Sequence, residues 1–159
     1  MKILFLSLLL LQAVTMLVDE FYFHHKRGLG LWESLGHPLD TLTVIATFSV
    51  VCFFPATLFY KMLYIGLSTF SCFFVTKDEF VHQKLCSWQE NWTHALLFMA
   101  HPVLFIGAYF LWIESMNSSF LFGLNFKDFI FTHLIILTSF MLYQFLYWNR
   151  SRLYGLIKN

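Results

Sequence analysis

Residues 41–75, TLTVIATFSVVCFFPATLFYKMLYIGLSTFSCFFV, carry one charged side chain, Lys61. A straight helix over that stretch would reach about 52 Å, well beyond the ~30 Å hydrocarbon core of a bilayer. A hairpin of two spans fits better. Pro55 disfavours helix at Phe54, and Lys61 between Tyr60 and Tyr64 has the character of an interface anchor, so the turn is expected near 55–61. Similar runs occur elsewhere. Residues 3–18 read as a retained first membrane helix continuing to about His25, because no small-x-small cleavage site precedes Asp19. Further spans cover about 94–113 and about 128–147, separated by the polar break at 114–119.

Composition agrees. The chain is 58% hydrophobic and 12% charged, with mean hydropathy +0.67, whereas a soluble domain carries about twice that charge. The expected fold is all-α integral membrane: about five transmembrane helices in one bundle, a single polytopic domain over 1–159. The bilayer is then the obligate partner. Net charge +1 without a basic patch excludes nucleic acid. The three cysteines are widely spaced and form no CxxC pattern.

Five spans put the chain ends on opposite sides. Lys2, Lys61 and Lys127 fall on one side. Lys26, Arg27, Lys77, Lys84, Arg150, Arg152 and Lys158 fall on the other. The positive-inside rule assigns the second side, with loops 19–40 and 76–93, to the cytoplasm and the N-terminus to the opposite face. That cytoplasmic side also gathers six of the seven histidines: His24, His25, His37, His82, His94 and His101.

The carboxylate–imidazole spacings are short. Glu79-x-x-His82 puts both groups one helical turn apart, the spacing used in di-iron helical bundles. Glu90-x-x-x-His94, Glu20-x-x-x-His24 and Glu33-x-x-x-His37 repeat the pairing at i, i+4, although Gly36 and Pro38 argue against helix around His37. On one helix, Glu79, His82, Cys86, Glu90, His94 and His101 share a sector of about 120°. That helix would set Glu79 and His101 about 33 Å apart, so either a centre uses only some of them or the helix breaks near Cys86–Gln89 and folds back. The expected metal ligands are His24, His25, His37, Glu79, His82, Glu90, His94 and His101. A mixed imidazole–carboxylate shell suits a transition metal, iron first and zinc or manganese as alternatives.

Several members also have plainer uses. Thr76-x-x-Glu79 has the form of a capping box, Asp40 of an N-cap for the second span, and Asn91 of a cap for the fourth. Asp19 and Glu20 pair readily with Lys26 and Arg27. His101, set about 10 Å deep before Pro102, is either a functional group or a neutral imidazole bonded to a freed carbonyl. His133 falls nearer the opposite side and is left out. Residues 28–40 read as a turn-rich connector, and Trp32, Trp88, Trp92, Trp112 and Trp148 as interfacial anchors. Asn91, Asn117 and Asn149 head glycosylation triplets.

The plan resembles the histidine-rich integral-membrane di-iron oxygenases of the desaturase and hydroxylase class, helical enzymes that hold their metals at the cytoplasmic face. The resemblance covers plan and side. This chain has the adjacent pair His24-His25 but no HxxxH box, so no catalytic residue is carried over. The resemblance implies an oxidoreductase acting on a lipid or other apolar substrate. The rival expectations are a metal or haem binding or transport component and a non-catalytic membrane assembly protein. Five short spans leave little room for a substrate pocket unless the chain forms a homo-oligomer.

Overall fold

A computed structural model describes residues 1–114 and 119–157, with side chains described through Arg150; Asn117 and the side chains of Arg152 and Lys158 lie outside that range. The chain forms five helices long and apolar enough to cross a membrane. They are α1 (Lys2–Arg27), α2 (Leu31–Phe53), α3 (Leu58–Leu85), α4 (Trp88–Glu114) and α5 (Phe126–Ile157). Two short strands, β1 (Ser119–Leu121) and β2 (Leu124–Asn125), pair antiparallel before α5. The all-α expectation omitted them. Their tight turn has positive φ at both Phe122 and Gly123, as two-residue hairpin loops require, and glycine meets that demand without strain.

The expected break after the second span is present. Phe54 is extended ahead of Pro55, and α3 starts at Leu58. The Phe54 and Tyr60 rings stack across the turn at 4.4 Å.

Four local expectations fail for identifiable reasons. The first is the connector at 28–40, because α2 begins at Leu31 and runs through Pro38. Pro38 lacks the N–H that would meet the Ser34 carbonyl, and Asn149 Nδ2 of α5 donates to that oxygen at 3.0 Å instead. Second, Asp40 then lies inside α2 and caps nothing; it receives the Lys77 ammonium at 2.6 Å. Third, no capping box opens at Thr76, because α3 tightens into a 3₁₀ turn over Val75–Asp78 and continues to Leu85. The preceding turn satisfies the backbone there, and Thr76 Oγ1 donates back to the Phe73 carbonyl. Fourth, Ser87 and not Asn91 caps α4, by accepting the Glu90 N–H at 3.3 Å; the break itself falls at Cys86–Ser87, inside the stretch expected for it. Residues 79–101 are therefore folded back, the second of the two geometries expected for them.

Helix α2 packs mainly on α5 and α3, and α1 on α4. The apolar core lies towards the end away from the histidines, around Phe5, Phe48, Tyr64, Phe105, Trp112 and Phe126. Trp112 is fully buried, a core residue and not an interfacial anchor. Tyr64 Oη ties α3 to α4 through the Phe105 carbonyl at 2.8 Å. At the other end Gly36 lets α3 approach α2, since a β-carbon there would sit 3.0 Å from Lys77 Cε and 3.1 Å from Asp78 Oδ2. The outward faces are greasy: Ile3, Phe73 and Met99 are each more than 70% exposed.

Candidate metal centre

Four of the five helices send one imidazole each to the same end of the bundle: His24 from α1, His37 from α2, His82 from α3 and His94 from α4. The His24 and His37 rings stack at 4.7 Å, His82 and His94 lie 4.2 Å apart, and His37 and His82 lie 6.5 Å apart. Each ring keeps a buried nitrogen without a hydrogen bond: Nε2 of His24, His37 and His82, and Nδ1 of His94. Buried polar atoms are nearly always paired. Four such nitrogens on neighbouring rings are a donor chemistry that suits a Lewis acid.

The opposite nitrogens are oriented by carboxylates. His24 Nδ1 lies 3.4 Å from Glu20 Oε2, His82 Nδ1 3.3 Å from Glu79 Oε1, and His37 Nδ1 3.8 Å from Asp40 Oδ2. Metal-ligating histidines commonly have such a partner behind them, which fixes the ring and raises its basicity.

Asp19 stands between two rings. Its Oδ1 is 3.1 Å from His94 Nε2 and its Oδ2 is 3.2 Å from His24 Nε2. Ligand bonds of about 2.0–2.2 Å put neighbouring donor atoms on one ion about 3–3.5 Å apart, so these separations need little change. The placement depends on local backbone. Residues Asp19–His24 form a π turn inside α1. In a regular helix Asp19 and His24 would point about 140° apart; the i→i+5 bonding of a π turn stacks them.

Donor atoms of Asp19, His24, Glu90 and His94 lie within 4.8 Å of one another, as do those of Glu33, His37 and His82, of His82, Cys86 and His94, and of His37, Asp40 and Asp78. Arg27 closes this end. Its guanidinium forks onto Glu33 at 2.7 and 3.0 Å and reaches Glu90 at 3.0 Å. Lys77 bridges Asp40 and Asp78. Six carboxylates (Asp19, Glu20, Glu33, Asp40, Asp78, Glu90) thus face two permanent cations. The carboxylates outnumber the permanent cations, and unpaired buried charge is costly, so the balance falls to the neighbouring imidazoles or to a bound cation. Burial, and the Glu90 carboxylate beside it, push the Cys86 thiol up to about 12, so it stays protonated unless a metal displaces the proton.

Of the eight expected ligands, His24, His37, His82, His94 and Glu90 come together. Glu79 is half-exposed and supports His82 from behind. His25 turns to the outer surface, where its ring packs on Tyr147 and Trp148 and its Nδ1 meets the Glu20 carbonyl at 2.8 Å. His101 lies deeper; Ser71 Oγ is 2.9 Å from its Nε2 and Gln12 Nε2 is 3.5 Å from its Nδ1. Asp19, Glu33, Asp40 and Asp78 were not among the expected ligands. Asp19 and Glu20 pair with histidines, Gln144 and Trp148 instead of Lys26 and Arg27. Asn149, which heads a glycosylation triplet, is buried against Ser34.

Below the imidazoles lies a cavity of about 260 Å³. His24, His37, His82 and His94 form its polar end; Leu9, Val44, Phe98, Leu104 and Leu137 line the apolar remainder. The two halves are continuous, so anything held among the apolar side chains abuts the donor set.

Comparison with protein families, curated proteins and solved structures gave no match for this chain.

Proposed function

We propose that the chain is a polytopic membrane protein that holds a transition metal at the histidine end of its bundle, and that it is an oxidoreductase acting on a lipid or other apolar substrate at the cytoplasmic face. One observation carries this proposal: four imidazoles from four helices, each keeping a buried nitrogen without a hydrogen bond, gather with Asp19 at the polar end of an apolar cavity, with Glu33 and Glu90 among their donor groups. Donors of this mixture suit iron, with zinc or manganese as alternatives. Iron would supply one-electron and oxygen chemistry when bound. The chain's own residues do the rest. Glu20, Asp40 and Glu79 orient the imidazoles, Arg27 covers the polar end, and the apolar lining excludes water and aligns a chain-like substrate.

A metal carrier is the second reading. It is favoured by Arg27 and Lys77, which already neutralise part of the carboxylate set and so allow a stable metal-free state.

The test is elemental analysis of full-length protein purified in detergent. At least one equivalent of iron, zinc or manganese is expected, lost in His82→Ala/His94→Ala with helical circular dichroism retained. Protein free of metal above background, and unable to take it up, would overturn the proposal. Oxygen-dependent change in the absorption spectrum on adding a lipid substrate separates the enzyme from the carrier.

A further inference from the structure

The apolar half of the cavity is not uniformly apolar. Gln12 and His101 face it, as does His133 from α5. Gln12 Oε1 is buried and makes no hydrogen bond. The His133 ring rests edge-on against Phe48 at 5.7 Å and has no hydrogen-bond partner among the described residues. An acceptor and an imidazole thus stand ready in an otherwise greasy chamber, where leaving them unmatched is unfavourable. No carboxylate pairs with either side chain among the described residues, so the complement is a neutral hydrogen-bonding group that can donate to Gln12 Oε1.

The same chamber has a side entrance. Helices α1 and α5 are tied near their ends. At the polar end Glu20 accepts from Gln144 at 3.1 Å and from Trp148 at 2.6 Å, and Phe21 meets Tyr143. At the other end Phe5 meets Phe126 at 5.8 Å. Between these ties Ala13 and Leu17 on α1, and Ile136 and Phe140 on α5, line the cavity. Among the described residues no hydrogen bond or ring contact crosses the two helices there. Leu17 and Ile136 are also about half exposed on the outer surface, so this seam joins the chamber to the surroundings of the bundle.

We infer that the cavity takes the chain of a single membrane lipid bearing an uncharged hydroxyl, which can both donate and accept, entering sideways between α1 and α5 and set by Gln12 and His133. Its placement against the donor set rests on the metal reading above; its binding does not. The chain lies along the Leu and Phe lining, and the hydroxyl fixes how far it slides towards the imidazoles.

The test uses the full chain in lipid nanodiscs and two photoreactive probes, a long-chain primary alcohol and the matching alkane, each carrying a diazirine. After irradiation, labelled peptides are mapped. The alcohol is expected to label the Ala13–Leu17 and Ile136–Phe140 segments in preference to the outward Phe73 and Met99. Gln12→Leu/His133→Leu should lower alcohol labelling at the seam by about fivefold, the scale of one neutral hydrogen bond, with alkane labelling unchanged. Ala13→Phe, which narrows the seam without touching either polar residue, should remove seam labelling by both probes and decides the matter if the double variant fails to fold. Equal labelling of seam and outward surfaces, or alcohol labelling indifferent to these variants, overturns the inference. Metal content is measured on the same samples. Seam labelling of a metal-free protein would sink the metal reading alone, and a metal-loaded protein without seam labelling would sink the lipid inference alone.

Discussion

Arg27 is the residue on which the polar end depends most. Its side chain is 16% exposed, and those of Glu33 and Glu90 are 1% and 3% exposed. Removing one partner of a buried pair leaves the other charges stranded, at a cost of about 3–5 kcal/mol. Arg27→Gln should lower stability by that amount in denaturant titration of the detergent-solubilised protein, and saturating manganese should recover part of it by taking the vacated counter-charge role. A loss below about 1 kcal/mol would show that water reaches the carboxylates. At this scale the sequence was informative about histidines and poor on acids. The i, i+4 spacings flagged His24, His94 and Glu90, while Asp19 was hidden because its partnership with His24 spans five residues, a separation that regular helix geometry places on different faces. His25 shows the opposite error: sequence adjacency to His24 guarantees that the two rings diverge on a helix.

At the scale of elements, α2 and α5 share a repaired defect. Pro38 removes a backbone donor, and the Asn149 amide replaces it at the Ser34 carbonyl. Asn149→Ala should cost about 1–2 kcal/mol. In Pro38→Ala the backbone N–H returns, and the same Asn149 substitution should cost measurably less. A double-mutant cycle in thermal melts gives the coupling; a coupling near zero would mean that the carbonyl is satisfied another way. The missed helix over 31–40 follows from this. Proline and glycine rules describe a chain in isolation, and the donor that rescues this segment lies in α5, remote in sequence. The long apolar runs needed no such outside partner, which is why the helix count was legible while the starts of α2 and α4 were not.

For the whole molecule, the proposed insertion puts Lys26 and Lys84 on one side of the bilayer and Lys127 on the other. All three are exposed. A membrane-impermeant amine reagent applied to sealed vesicles of each orientation should modify Lys26 and Lys84 together and Lys127 separately, read by peptide mass spectrometry. Joint modification of Lys26 and Lys127 from one face would rule out a five-span crossing. The convergence of distant polar segments was expected from span parity alone. The apolar cavity was not, because cavities arise where helices fail to touch, and hydropathy reports only that each helix is greasy.

The π turn over Asp19–His24 has a reach beyond its six residues. An extra residue in one turn of a helix advances everything upstream by about 100°. In α1 that includes Phe5, seated in the core, and Gln12 and Ala13, facing the cavity. Deleting one residue from this turn would therefore do more than disturb Asp19. It would set the two halves of α1 out of phase, so that the helix could seat its hydrophobic anchor or present its imidazole, but not both at once.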